Sequence, residues 1–214
     1  MYIIIDSSHQ LLYSAILSGN YSNIDKLHEE FEVIFRKNGV AHKYHCSKLT
    51  RNTKNKMKPA LLEALKQAEK VNLNIIQHRK PKEVGRKEWF VNFLPTRIAQ
   101  RLERWLIGKG GSMELIVDDD YNVVRGGRGT THFIESLLRQ TSLRLTNKEA
   151  TIRKEEKLKM TLKQANGNTL DIYASVASKN SKWVGLVDVY LGLYLSDKNL
   201  FSYMKNVYFV DFNK

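Results

Sequence analysis

Hydrophobic and polar positions alternate along this chain with two different periods, and these periods predict an α/β protein. Residues 2 to 5, Tyr-Ile-Ile-Ile, are aromatic and β-branched with no polar alternation, which predicts a central strand buried on both faces and ending at Asp6. A second β-rich run, Leu11 to Leu17, follows closely enough to form an antiparallel hairpin with the first. From Ile24 the apolar residues Leu27, Phe31, Ile34 and Phe35 recur at helical spacing, and Asn38-Gly39 supplies a stop, so a helix of about four turns is expected. Val40 to Leu49 reads as a short extended stretch. Pro59 is expected to open a second helix, with Leu61, Leu62, Leu65 and Ala68 on one face. Leu73 to Gln77 is expected to form a short strand.

After a basic connector, Arg79 to Lys87, the residues Phe90, Phe93, Leu94, Ile98, Leu102, Trp105 and Leu106 again fall three and four apart. Pro95 either kinks that helix or starts it afresh. Gly108 to Gly111 ends it, and Met113 to Val117 forms a strand running straight into Asp118, Asp119 and Asp120, which repeats the arrangement at the N-terminus. A Gly/Arg loop (Arg125 to Gly129) precedes a helix carrying Phe133, Ile134, Leu137 and Leu138. Between Asn147 and Lys163 two readings stay open: Lys159 to Leu162 alternates like a strand, while the Lys/Glu run before it suits a solvated helix. The final helix begins near Trp183, with Val187, Leu191 and Tyr194 on one side. No internal repeat, low-complexity tract or Pro/Gly/Ser-rich linker divides the 214 residues, so one domain is expected.

Charge narrows the choice of partner. There are 35 Lys and Arg against 22 Asp and Glu, a net charge of +13, and this favours a polyanion. The densest basic segment, residues 36 to 62, has no acidic residue and includes Lys43, Tyr44, His45, Lys48, Arg51 and Lys54. Lysine and arginine neutralise phosphates, and an aromatic ring stacks on a base, so these residues are the candidate nucleic-acid track; a solvated basic loop is the plainer alternative. No phosphate-cradling glycine motif occurs, which leaves nucleotide-cofactor chemistry without support. The single cysteine, Cys46, excludes an intramolecular disulfide and fits a reducing compartment. The N-terminus has neither a basic region nor a long apolar run, so a cytoplasmic location is expected, with no membrane insertion.

Three carboxylates stand out. Asp6 and Asp118 each end an apolar strand, and neighbouring strand ends in a sheet lie about 4.8 Å apart, within reach of a shared metal ion. An aspartate after a strand also commonly caps a turn. Asp188 sits inside Val184 to Leu193, where nearly every neighbour is apolar, and a carboxylate in such a setting needs a metal or a donor. Asp120 would face the same way as Asp118 if the strand continued. His9 and His45 are read as ordinary histidines before proton-transfer groups.

Taken in order, Tyr-Ile-Ile-Ile-Asp6-Ser7-Ser8, the apolar second strand, Tyr44-His45-Cys46-Ser47-Lys48-Leu49, Ile116-Val117-Asp118 and Gly185-Leu186-Val187-Asp188-Val189-Tyr190-Leu191 resemble the DUF3800 family across nearly the whole chain. Its members typically begin Ile-Asp-Glu-Ser-Gly and end with a helix of the type Leu-Gln-Leu-Ala-Asp-Leu. The resemblance implies a ribonuclease H-like fold: a mixed sheet with helices on both faces, formed as a single domain over 1–214 with inserted helices around 24–70. It also implies that Asp6, Asp118 and Asp188 bind Mg²⁺ or Mn²⁺ and serve as the catalytic carboxylates of a nuclease acting on DNA or RNA. Two positions depart from the family pattern: Ser7 stands where Glu is usual, and Val187 replaces the small residue before the helix aspartate. A non-catalytic nucleic-acid-binding protein of the same fold is the alternative.

Overall fold

A computed structural model describes residues 1–7, 12–40, 46, 49–85, 88–119, 129–177 and 181–212. The chain forms two compact units, one of residues 1–79 with 177–214 and the other of residues 80–176. The α/β class and the mixed strand arrangement expected from the sequence are both present.

In the first unit, β1 (Tyr2–Ser7) and β2 (Tyr13–Gly19) pair antiparallel, with Asp6 opposite Ala15 and Ser7 opposite Ser14. β2 pairs antiparallel with β3 (Asn72–Gln77), and β3 pairs parallel with a strand near the C-terminus, here β8 (Val207–Asp211). The strand order is therefore β1-β2-β3-β8. Ile3, Ile4 and Ile5 have no exposed surface, which is the two-faced burial that an unalternated apolar run requires.

Three helices accompany these strands. The helix α1 (Tyr21–Lys37) ends where the sequence places its stop: Gly39 adopts φ 68°, and Val40 N donates to Phe35 O at 3.0 Å. The expectation that Pro59 opens the second helix is corrected, because α2 runs Arg51–Gln67 and Pro59 lies inside it. The start signal is Thr50, whose hydroxyl accepts from Thr53 N at 3.1 Å and satisfies one of the donors that every helix start leaves open. The last helix, α5 (Lys182–Ser196), packs on β1 and β2, and α1 packs on both α2 and α5. Of the extended stretch expected at 40–49, residues 41–45 and 47–48 lie outside the described residues.

The second unit orders its strands β5 (Ile152–Lys154), β6 (Leu158–Lys163), β7 (Thr169–Ala177) and β4 (Gly111–Asp118). The strand reading of Lys159 to Leu162 holds, and the Lys/Glu run forms the bend between β5 and β6 rather than a helix. Pro95 restarts its helix. A π-helical turn, Trp89–Phe93, precedes α3 (Leu94–Leu106). Proline has no N–H to offer the carbonyl four residues back, and that carbonyl, Val91 O, instead accepts from Ser136 Oγ at 2.6 Å. Ser136 belongs to α4 (Gly129–Thr146), so the proline fixes where α3 and α4 meet.

Each unit also closes one helix end with a buried side-chain amide. Asn206 Nδ2 donates to Leu65 O at 2.8 Å, Val71 O at 3.0 Å and Ala68 O at 3.2 Å, while the Asn206 backbone carbonyl accepts from Leu73 N at 2.9 Å. Gln164 donates through Nε2 to Leu106 O at 3.0 Å and Lys109 O at 2.8 Å, and its Oε1 accepts from Gly108 N at 2.7 Å. These bonds satisfy the carbonyls that the ends of α2 and α3 leave open.

Losing a buried donor with several acceptors costs about 1–3 kcal/mol. Asn206→Ala and Gln164→Ala are each expected to destabilise the protein on that scale, read as a lower midpoint in urea with little change in slope. His28 gives a pH dependence. It is buried on α1, facing Trp183, with its ring centroid 6.2 Å away, and burial outweighs Glu32, Asp25 and Glu29 to hold its pKa below the ordinary 6.5. The unfolded chain therefore takes up this proton at a higher pH than the folded one. The stability contribution is complete above about pH 6.5 and is lost as pH falls towards the folded value. Denaturant midpoints measured from pH 7.5 down to 5 should show this slope, and His28→Leu should flatten it.

Candidate carboxylate site

Asp6 stands at the C-terminal end of β1 with no exposed surface. Side chains alternate across a strand, so Asp6 shares a face with Ile4 and Tyr2 and with its cross-strand partner Ala15. This is the face α5 covers: Tyr2 lies 6.2 Å from Trp183, and Tyr13, also on that face, lies 6.0 Å from Tyr194 (ring centroids). Ser7 N donates to Asp6 Oδ1 at 2.8 Å, which fixes one oxygen of the carboxylate. Ser7 is itself buried on the opposite face, paired with Ser14, whose hydroxyl lies 2.9 Å from His78 Nε2.

Asp188 is half-buried on α5, and the reason it tolerates an apolar neighbourhood is specific. Cys46 N donates to Asp188 Oδ2 at 2.7 Å, a charge-assisted bond spanning 142 positions of sequence. Gly192, one turn further along the same helix face, makes room for that contact. A Cβ built on Gly192 would lie 2.1 Å from Cys46 Sγ and 2.6 Å from Cys46 Cβ. The glycine is therefore a seat for Cys46, and Asp188 is the latch that holds its backbone. Burial raises the Cys46 thiol pKa, with Lys54 acting against the rise.

In the second unit Asp118 ends β4, and like Asp6 it has no exposed surface. Its neighbour Asp119 is exposed, and Asp119 O accepts from Thr130 Oγ1 at 3.2 Å. Asp120, His9 and His45 lie outside the described residues, as do the Gly/Arg loop up to Arg128 and four residues of the candidate nucleic-acid track, Lys43, Tyr44, His45 and Lys48. The other two are on the first turn of α2: Arg51 is exposed, and Lys54 is half-buried beside Cys46. Two further basic residues are engaged locally, since Lys58 Nζ lies 3.5 Å from Asp197 and Lys80 Nζ donates to Val84 O at 2.6 Å. Among the described residues, no group of three or more His, Cys, Asp and Glu side chains is arranged to hold a metal ion.

Sequence reasoning missed the Cys46 and Gly192 contact, Ser14 with His78, and the strands β7 and β8. The only signal for the first was a glycine four residues after Asp188, which a helix presents on the same face. No family model, curated protein or solved structure matches the chain.

Gly192→Ala is expected to destabilise by about 1–3 kcal/mol through overpacking. It should also speed labelling of Cys46 by a thiol reagent under native conditions, because the displaced thiol becomes more accessible and loses the burial that raises its pKa. Adding Cys46→Gly, which removes both clashing atoms, should recover most of the lost stability. A native labelling rate unchanged by Gly192→Ala would contradict the seat described here.

Proposed function

We propose that this chain is a divalent-metal-dependent phosphodiesterase acting on nucleic acid in the cytoplasm, with a ribonuclease H-like fold of the DUF3800 type. The observation that carries this reading is the pair of wholly buried aspartates, Asp6 and Asp118, each ending an apolar strand. Burying a carboxylate costs several kcal/mol unless a cation or donors compensate it, so such positions are usually kept for chemistry. The antiparallel β1-β2-β3 meander with an acidic end to β1, and a late helix bearing Asp188, fit the same reading.

The donor set suits a hard cation. Asp6 and Asp188 in the first unit and Asp118 in the second, the three residues that the resemblance assigns to the metal, offer only oxygen atoms. Mg²⁺ and Mn²⁺ favour oxygen ligands, and Mg²⁺ commonly binds through one or two carboxylates, completing its shell with water and phosphate oxygens. When bound, the ion would supply charge stabilisation at the phosphoryl group and a lowered pKa for its water. The chain's own contribution is orientation: Ser7 N fixes Oδ1 of Asp6, and Cys46 N fixes Oδ2 of Asp188. The net charge of +13 would hold the polyanionic substrate, with Arg51 available at an exposed position on α2.

One observation favours the rival reading, a non-catalytic nucleic-acid binder. Asp188 already has a structural task in seating Cys46, which explains its place on α5 without a metal.

The test is cleavage of single- and double-stranded DNA and RNA by the purified chain with Mg²⁺ or Mn²⁺. Activity is expected to fall roughly a hundredfold or more in Asp6→Asn and in Asp118→Asn, the scale on which removing one pre-placed polar group acts. A folded preparation that binds these polymers in a salt-sensitive way yet cleaves none of them with either ion would leave the binding protein as the answer.

A further inference from the structure

The helices α1 and α2 pack against each other and leave an open groove of about 430 Å³ between them. Its surface is almost wholly apolar: Val33 comes from α1, with 42% of its surface exposed, and Ala60 and Ala64 come from α2. The two alanines are one turn apart and so share a face. Short side chains there let another helix approach closely, since the distance between helix axes depends on the side chains at the contact. Three glutamates, Glu29, Glu30 and Glu63, border the same groove, and all three are exposed. Among the described residues, no lysine or arginine lines it. Glu63 accepts from Gln67 Nε2 at 3.1 Å and lies 3.6 Å from Lys66 Nζ, a solvent-exposed pair on one helix of the kind worth little.

An acid-bordered apolar groove on a chain of net charge +13 selects its occupant by charge complementarity. A nucleic-acid strand is repelled by the three carboxylates and meets no aromatic ring among the described residues that line the groove. A second copy of this chain, seated about a twofold axis, would bring the groove against itself, acid facing acid. An amphipathic helix with lysine or arginine beside its apolar stripe suits every feature. Its apolar residues, three and four apart, lie between α1 and α2, and its cations reach the three glutamates. Opposite charges around such a contact speed encounter and fix orientation.

We propose that the groove between α1 and α2 is the docking site for a basic amphipathic helix of a partner protein. None of the residues named here belongs to the carboxylate chemistry proposed above, so this inference stands or falls separately from it.

The probe is a synthetic, fluorescently labelled helix of about eighteen residues, some five turns, with leucine at spacings of three and four and lysine on both sides of that stripe. Its anisotropy should rise to saturation on titration with the full chain. A peptide of the same composition in scrambled order, and one with glutamate in place of lysine, should each bind at least tenfold more weakly. Glu29→Lys combined with Glu30→Lys should weaken binding of the lysine peptide at least tenfold and strengthen binding of the glutamate peptide. Val33→Asp should weaken binding of the lysine peptide too. These variants should melt close to the parent protein, because all three positions are exposed. A lysine peptide that does not bind, a scrambled peptide that binds as well, or variants that bind as the parent does would each overturn the proposal. Self-association of the parent that is lost in Glu30→Lys would make a second copy the occupant, and would overturn it as well.

Discussion

Burial of β1 on both faces is the constraint on which the first unit is organised. Ile3, Ile4 and Ile5 are removed entirely from water, each contributing roughly 1.5–3 kcal/mol, and that burial holds in place a carboxylate that the interior would otherwise reject. Asp6 inherits its position from the isoleucines before it: the strand must continue to satisfy its backbone against β2, so the side chain at its end is carried into the interior with it. The same construction recurs in β4, where Leu115, Ile116 and Val117 lead to Asp118. Apolar strands here serve as positioning devices for acids.

Around these strands, a few long-range polar bonds decide where helices start, stop and meet. Asn206, Gln164, Ser136 and Asp188 each satisfy backbone groups distant in sequence. Each lies where the regular ladder is interrupted: two helix ends, a proline, and the short segment at Cys46. Apolar packing alone is non-directional and would tolerate small slips of a helix along its neighbour. A buried amide with three acceptors does not, because a slip leaves donors unsatisfied.

Most regular elements were legible from periodicity, because burial imposes period two or 3.6 directly on residue type. The hairpin of β1 and β2, the helices α1 and α4, and the strand leading to Asp118 followed from that rule. Pro59 misled because proline is read as a helix opener, whereas the opening was marked by Thr50, a polar cap outside the apolar pattern. β8 went unread for a different reason: with Tyr208 and Phe209 exposed on opposite faces, its apolar residues do not report burial, and its identity as a strand comes from β3 beside it. Contacts such as Cys46 on Gly192 join residues 146 positions apart, and no local pattern encodes them.

The candidate site reverses the order of emphasis that residue context suggests. Asp188 is conspicuous in sequence because its neighbours are apolar, yet its place has a plain structural explanation in a backbone N–H to accept from and a glycine beside it that admits the donor. Asp6 and Asp118 look ordinary in sequence, as aspartates after strands often do, yet they are the two with no exposed surface. Apolar neighbours along a helix surround a residue on all sides of the axis and say little about the one direction its side chain takes. A strand terminus, by contrast, is placed by the pairing of the whole strand. For acidic residues in a fold of this kind, burial set by strand pairing is the stronger sign of chemistry, and it is on Asp6 and Asp118 that the proposed activity rests.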